Sequence, residues 1–279
     1  MVELSGKRAL VTGASSGIGA QLARLLAAEG VHLVLTARRK DALDEVAADC
    51  AARGAPLAPR IDVITADLGH PDAATTLWKA ASAGGPIDIL INNAGFGYFR
   101  AFADADWQRD AELVQLNITS LVELSRRFVD ARKADPGRAY LVNIASIAAY
   151  QSTPNFAVYS SSKAFVRNFT EALHDEHAGS PLSVTCVCPG GTRTDFHSQA
   201  GAGDYGWLAD RSMLTAEQVA RVTLGAMKRG KRNVIPGAMN KLSCFAVRFV
   251  PRRLASWMSR RVLGRPRAGS LPSRTTSAA

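Results

Sequence analysis

Residues 8–19 read R-A-L-V-T-G-A-S-S-G-I-G, a short apolar run that halts at glycines 13, 17 and 19. A helical stripe follows, with Ile18, Leu22, Leu25 and Leu26 at three- to four-residue intervals. Strand, glycine turn and helix together form a physical recipe for a pyrophosphate cradle. Gly13, Gly17 and Gly19 let the backbone turn tightly and approach phosphate oxygens, and the helix N-terminus directs partial positive charge at them. The spacing is G-x-x-x-G-x-G, not the usual G-x-G-x-x-G, and an ordinary strand-to-helix turn reads the same way.

Working outward, residues 31–37 (V-H-L-V-L-T-A) read as a second buried strand, and Arg38 and Arg39 follow it. A carboxylate at this point of a dinucleotide fold would bind the adenosine ribose hydroxyls, whereas an arginine pairs with a 2′-phosphate. Arg38 therefore predicts NADP(H) in preference to NAD(H), the bland alternative being two solvated arginines at a helix start. Helices are expected over residues 41–53, 71–83, 111–131 and 157–174, and strands over 61–66, 87–91, 139–145 and 182–188. Strands and helices thus alternate, the pattern of an α/β fold with a single doubly wound, Rossmann-like parallel sheet and helices on both faces. Such sheets bind ligands beyond their strand carboxyl ends. Asp67 and Leu68 fall at one such end, Asn92, Asn93, Ala94 and Gly95 at another, and Pro189 with Thr192 at a third.

The acid/base candidates lie within residues 146–163, S-I-A-A-Y-Q-S-T-P-N-F-A-V-Y-S-S-S-K. Tyr159 and Lys163 stand four apart and share a helix face. A cation one turn from a phenol favours the phenolate and suits it to proton transfer near neutrality. Ser146 offers a neutral hydroxyl to hold a substrate oxygen. Asn117, on an otherwise apolar helix, is either a satisfied core amide or part of a polar channel.

The chain has 279 residues, 47% of them apolar, enough for one large core. No apolar run approaches bilayer length, and strand-like sequence so near Met1 argues against a signal peptide. Cys50, Cys186, Cys188 and Cys244 have neither framework nor metal-ligand spacing, so no metal site is expected and a reducing cytoplasm fits. The formal charge of +10 is uneven: no acidic residue follows Glu217, while fourteen Lys and Arg do. The first 217 residues are mildly acidic, and the basic character belongs to the C-terminal end.

With these motifs in order, the sequence resembles the classical short-chain dehydrogenase/reductase (SDR) family over about residues 5–230. The matches are T-G-x-x-x-G-x-G at 12–19, Asp67, N-N-A-G at 92–95, the Asn/Ser/Tyr-x-x-x-Lys set and P-G-x-x-x-T at 189–194. The resemblance implies Tyr159 as the general acid, Lys163 as its pKa-lowering neighbour and nicotinamide-ribose ligand, Ser146 as the carbonyl-orienting hydroxyl, and Asn117 as the holder of a proton-resupply water. It places Gly13, Ser15, Ser16, Gly17, Ile18 and Gly19 on the cofactor, together with Arg38, Asp67, Leu68, Asn93, Ala94 and Gly95. Tyr159, Lys163, Pro189 and Thr192 complete that set. At the last position the family usually carries Val or Ile, so only the Thr192 backbone amide is an expected contact.

By the same resemblance, residues 196–214 form a lid. Phe196, Tyr205, Trp207 and Met213, with Ile147 and Phe156, would line an apolar pocket for a lipophilic ketone or aldehyde. The expected organisation is a catalytic domain over 1–238, an amphipathic basic helical extension over 239–263 and a disordered tail over 264–279. The extension, split by Pro251, interleaves Phe245, Phe249, Leu254 and Trp257 with arginines. Covering the body or an identical subunit ranks ahead of peripheral contact with the inner membrane surface, and nucleic acid ranks last. The resemblance also implies a cytoplasmic homodimer or homotetramer built on the Asn117 and Tyr159 helices. The enzyme reading competes with a nucleotide-sensing interaction or membrane-associated protein that uses the same fold as a binding module. An intact Asn117, Ser146, Tyr159 and Lys163 set favours the enzyme.

Overall fold

The computed structural model describes residues 3–193 and 213–262, apart from positions 56, 134 and 136. Its centre is a seven-stranded parallel sheet in the order β3-β2-β1-β4-β5-β6-β9. The strands are β1 (Arg8–Thr12), β2 (His32–Ala37), β3 (Ile61–Thr65), β4 (Ile89–Asn92), β5 (Ala139–Ile144), β6 (Leu182–Val187) and β9 (Asn233–Val234). Each central strand is buried on both faces, as a sheet covered by helices on both sides requires. Side-chain alternation divides the core: Val11, Leu35, Ile91 and Val142 point to one helical layer, and Leu10, Val34, Leu90 and Leu141 to the other.

The first layer contains α1 (Gly17–Ala28) and α2 (Lys40–Gly54), joined by α7 (Ala216–Lys228). The second contains α3 (Ala73–Ser82) and α5 (Ser120–Arg132). Strand order reverses between β1 and β4, the switch point where the carboxyl ends of an open sheet leave a crevice.

Several boundaries differ from expectation. The helix expected over 111–131 starts earlier, at α4 (Trp107–Val114), because the Asp106 carboxylate caps it by accepting the Gln108 N–H. It is also not continuous: Gln115–Thr119 forms a π-helical turn before α5. α6 (Ala157–Glu176) runs slightly past the expected stop. A second, two-stranded pairing joins β7 (Thr192–Arg193) to β8 (Leu214–Thr215), short strands that sequence pattern does not reveal. Beyond β9 come α8 (Ala238–Ala246), a 3-10 turn over Val247–Phe249 and α9 (Arg252–Val262), with Pro251 at the break. Among the described residues no helix is long and apolar enough to cross a membrane.

Candidate active site

The carboxyl ends of β1 and β4 are tied together by side chains. Thr12 Oγ1 accepts the Asn93 and Ala94 N–H groups at 3.0 and 2.9 Å. Asn93 Nδ2 donates back to the carbonyls of Thr12 and Gly13 at 3.0 and 3.1 Å. Asn93 therefore holds the glycine loop in shape, and its amide is already engaged. Gly13 takes a φ of 64°, and a Cβ there would stand 2.8 Å from Asn93 Nδ2. A Cβ on Gly19 would collide with the Gly13 carbonyl oxygen, so the loop closes on itself only without side chains. Gly17 and Ile18 open α1, whose first turn carries no acidic residue, and the Ser15 and Ser16 hydroxyls beside it cap nothing.

At the neighbouring strand ends, Arg38 is exposed and pairs with no carboxylate among the described residues. Asp67 turns its Oδ1 onto the Gly69 N–H at 2.9 Å, and the buried Leu68 is held through its carbonyl by Ser120 Oγ at 2.7 Å. Below Asn93, Asn92 donates to Asn143 Oδ1 at 2.9 Å, and Asn143 donates to Thr170 Oγ1 at 3.0 Å. This buried amide ladder links β4 and β5 to α6.

The residues expected to do chemistry converge from three elements. Asn117 sits in the π turn and is fully buried. Its Nδ2 donates to the Phe96 carbonyl at 3.0 Å and to Ser162 Oγ at 3.1 Å, while its Oδ1 accepts the Phe96 N–H at 3.1 Å. Ser162 in turn donates to the Tyr159 carbonyl at 2.7 Å. Lys163 is 5% exposed, and its Nζ donates to the Ile144 carbonyl at 2.9 Å and lies 5.8 Å from the Tyr159 ring centroid. Burial lowers its pKa from 10.5 to about 8. Gly95 backs onto both groups, with a Cβ there standing 3.0 Å from Asn117 Oδ1 and 3.3 Å from Lys163 Nζ.

Tyr159 is 7% exposed and stacks on Phe156, ring centroids 4.3 Å apart at 24°. Phe156 and Tyr159 line a small cavity together with Tyr98, Asp110 and Leu113. Ser146 leaves the end of β5 and caps the following 3-10 turn, its Oγ accepting the Ala148 N–H at 3.1 Å. Ile147 starts that turn and donates its N–H to the Pro189 carbonyl at 2.9 Å, which locks the β5 and β6 ends together. Thr192 is buried with its Oγ1 on the Gly190 carbonyl at 3.1 Å, and Met213 packs on Gly191. Phe196, Tyr205 and Trp207 lie outside the described residues, as does the motif's last position, Thr194.

Residues 7–204 match the sequence family described as short chain dehydrogenase. The chain belongs to the classical short-chain dehydrogenase/reductase family. Among similar SDR sequences, an uncharacterised oxidoreductase of Staphylococcus saprophyticus is 33% identical, over 82% of this chain and 94% of that one. Glycine betaine reductase of Emericella nidulans is 36% identical over 81% of this chain, which spans only 18% of that longer protein. Of solved structures, an SDR from Sphingobium yanoikuyae in complex with NADPH has a TM-score of 0.77 at 27% identity, covering 98% of both chains. An SDR from Burkholderia phymatum in complex with NAD has a TM-score of 0.77 at 25% identity, covering 96% of this chain and 100% of that one. The protein is an NAD(P)-dependent oxidoreductase acting on carbonyl or alcohol groups.

The residues present fit such a dinucleotide. The glycine-built loop, the α1 N-terminus without a side-chain cap and the Arg38 guanidinium, which meets no carboxylate among the described residues, are arranged for phosphates. Three residues escape a motif-based list. Thr12 clamps the loop, Ser162 joins Asn117 to the tyrosine backbone, and Gly97 faces the tyrosine ring, where a Cβ would stand 2.6 Å from Cδ2. Two of these lie inside or beside recognisable motifs, but nothing in their spacing states what they touch.

Proposed function

We propose that this SDR reduces a lipophilic ketone or aldehyde reversibly with NADP(H). The observation that carries the chemistry is the buried Lys163 ammonium beside Tyr159, on a hydrogen-bonded frame that includes Asn117. In this reading Gly13, Ser15, Ser16, Gly17, Ile18 and Gly19 cradle the pyrophosphate, and Arg38 takes the 2′-phosphate. Asp67 and Leu68 meet the adenine, while Asn93, Ala94, Gly95, Pro189 and Thr192 border the nicotinamide side. The nicotinamide, when bound, supplies the hydride.

Tyr159 donates its phenolic proton to the carbonyl oxygen, and Ser146 orients that oxygen through its hydroxyl. Lys163 stabilises the phenolate left behind, and Asn117 holds the route by which the proton is replaced. A lipophilic substrate is favoured by Ile147 and Met213 beside the strand ends, with Phe156 behind the tyrosine. The proposed organisation is a catalytic unit over 1–238, functioning as a homodimer or homotetramer, followed by helices over 239–263.

The cofactor reading is tested by fluorescence titration with NADPH and NADH, with Arg38→Ala alongside. The variant should lose about 10- to 100-fold in NADPH affinity, the worth of a charge-assisted contact to phosphate, and keep its NADH affinity. Equal affinity of the native protein for both would overturn the assignment of Arg38.

A second test addresses the tyrosine's placement. Gly97→Ala should push the Tyr159 ring off its position and lower kcat by about 100-fold, since small misplacements of reacting groups cost that much. The NADPH dissociation constant should not move. A variant with native kcat would mean that the ring shifts without consequence.

A further inference from the structure

The two C-terminal helices are built inside out for a domain surface. α8 buries Asn240 and Cys244, four apart, while α9 buries Ala255 and Ser259, also four apart. Their large apolar residues point away from the body. On α8, Met239 is 48% exposed, Leu242 67% and Phe245 54%, and Phe249 in the following turn is 74% exposed. On α9, Leu254 is 46% exposed, Trp257 53% and Met258 49%. Of the two expected roles, covering the body or covering an identical subunit, the first is not met by these large side chains: small and polar residues are the buried ones.

The charge on the same segment is one-sided. Lys241, Arg248, Arg252, Arg253, Arg260 and Arg261 are all exposed and, among the described residues, none is paired with a carboxylate. Arg261 lies 4.7 Å from the Trp257 ring centroid, so its charge sits at the border of the apolar face. A two-fold contact between copies would press this patch against itself. It would bring twelve cations together with no carboxylate from residues 218–279 to neutralise them.

We propose that α8 and α9 form a docking surface for an anionic lipid membrane. The exposed Leu, Phe, Trp and Met side chains enter the headgroup–acyl boundary, and the arginines meet lipid phosphates. α8 is tied to the cofactor domain, because Asn240 packs directly against Gly190 in the loop after β6 and donates to the Pro236 carbonyl at 3.0 Å. Membrane contact therefore holds the strand-end crevice close to a pool of lipophilic molecules.

The test is co-sedimentation of the full chain with vesicles of phosphatidylcholine alone or mixed with phosphatidylglycerol, over a salt series. Light scattering of the lipid-free protein runs in parallel. Binding is expected to the mixed vesicles only, falling as salt rises. Arg252→Gln, Arg253→Gln and Arg260→Gln together should weaken it by about 100-fold, at about 1 kcal/mol per arginine near a charged bilayer. Phe249→Ser with Trp257→Ser should also weaken it, and NADPH affinity in both variants should match the native chain and report an intact fold. No sedimentation with mixed vesicles at low salt would overturn the proposal. So would equal binding to both vesicle types, or binding that survives both variants. A dimer that dissociates on Trp257→Ser, without vesicle binding, would assign the face to a second copy instead.

Discussion

Tyr159→Phe should lose about 100- to 10,000-fold in kcat for carbonyl reduction while its NADPH affinity stays native. That range is the worth of a positioned general acid. The substitution removes one oxygen and leaves the ring, which is held between Phe156 and Gly97. Stability and cofactor binding thus serve as internal controls. The single-turnover rate of NADPH oxidation with a reactive ketone is the measurement, because it isolates chemistry from product release. A variant that turns over like the native chain would remove Tyr159 from the proposed mechanism. It would also favour the competing reading, in which the fold senses a nucleotide and the reaction is incidental.

Lys163→Met should abolish turnover and yet make the cofactor-free protein more stable. The native ammonium is buried, and among the described residues its one hydrogen bond goes to a backbone carbonyl. Its folded-state pKa of about 8 lies below the ordinary 10.5. The sign follows from proton counting: between these values the unfolded chain binds more protons than the folded one, so unfolding free energy rises with pH through that window. Below pH 8 the full cost of the buried charge is present, about 3 kcal/mol from the difference between the two values. A methionine of similar length avoids that cost and forfeits a hydrogen bond worth about 1 kcal/mol, for a net gain of about 2 kcal/mol. At this chain length the gain corresponds to roughly 3–4 °C in Tm near neutral pH. The advantage should shrink as pH rises from 8 toward 10.5, where native Lys163 becomes neutral in both states. Scanning calorimetry of both proteins across that range is the check. A Tm that falls on substitution at pH 7 would show that the ammonium is stabilised in the fold.

Much of this protein is local and therefore legible in the chain. The alternation of apolar runs with helical stripes points to a parallel sheet wrapped by helices, because each helix serves as the crossover that returns the chain to the next parallel strand. Tyr159 and Lys163 share a face because four residues make about one turn. Gly13, Gly17 and Gly19 mark a phosphate-sized turn because side chains there would fill it, and Arg38 at the end of β2 names the charge that could sit beside it.

The tertiary structure decided what depends on through-space partners. Asn117 reads as either core amide or channel residue until the π turn aims it at Phe96 and Ser162. The side-chain amide of Asn93 braces the glycine loop, because the β1 and β4 ends stand side by side. The lowered pKa of Lys163 comes from burial, a property of packing that one-turn spacing cannot supply. The same limit applies to α8 and α9. Their sequence shows apolar and basic residues interleaved, and periodicity gives each helix its faces. It does not say which face meets the body. Small residues permit the close approach of a helix, and here Ala255 and Ser259 make that contact, leaving Trp257 and Phe249 outside. Local pattern follows from bonded geometry and is written along the chain; partner choice is a competition among distant surfaces, and only the folded molecule resolves it.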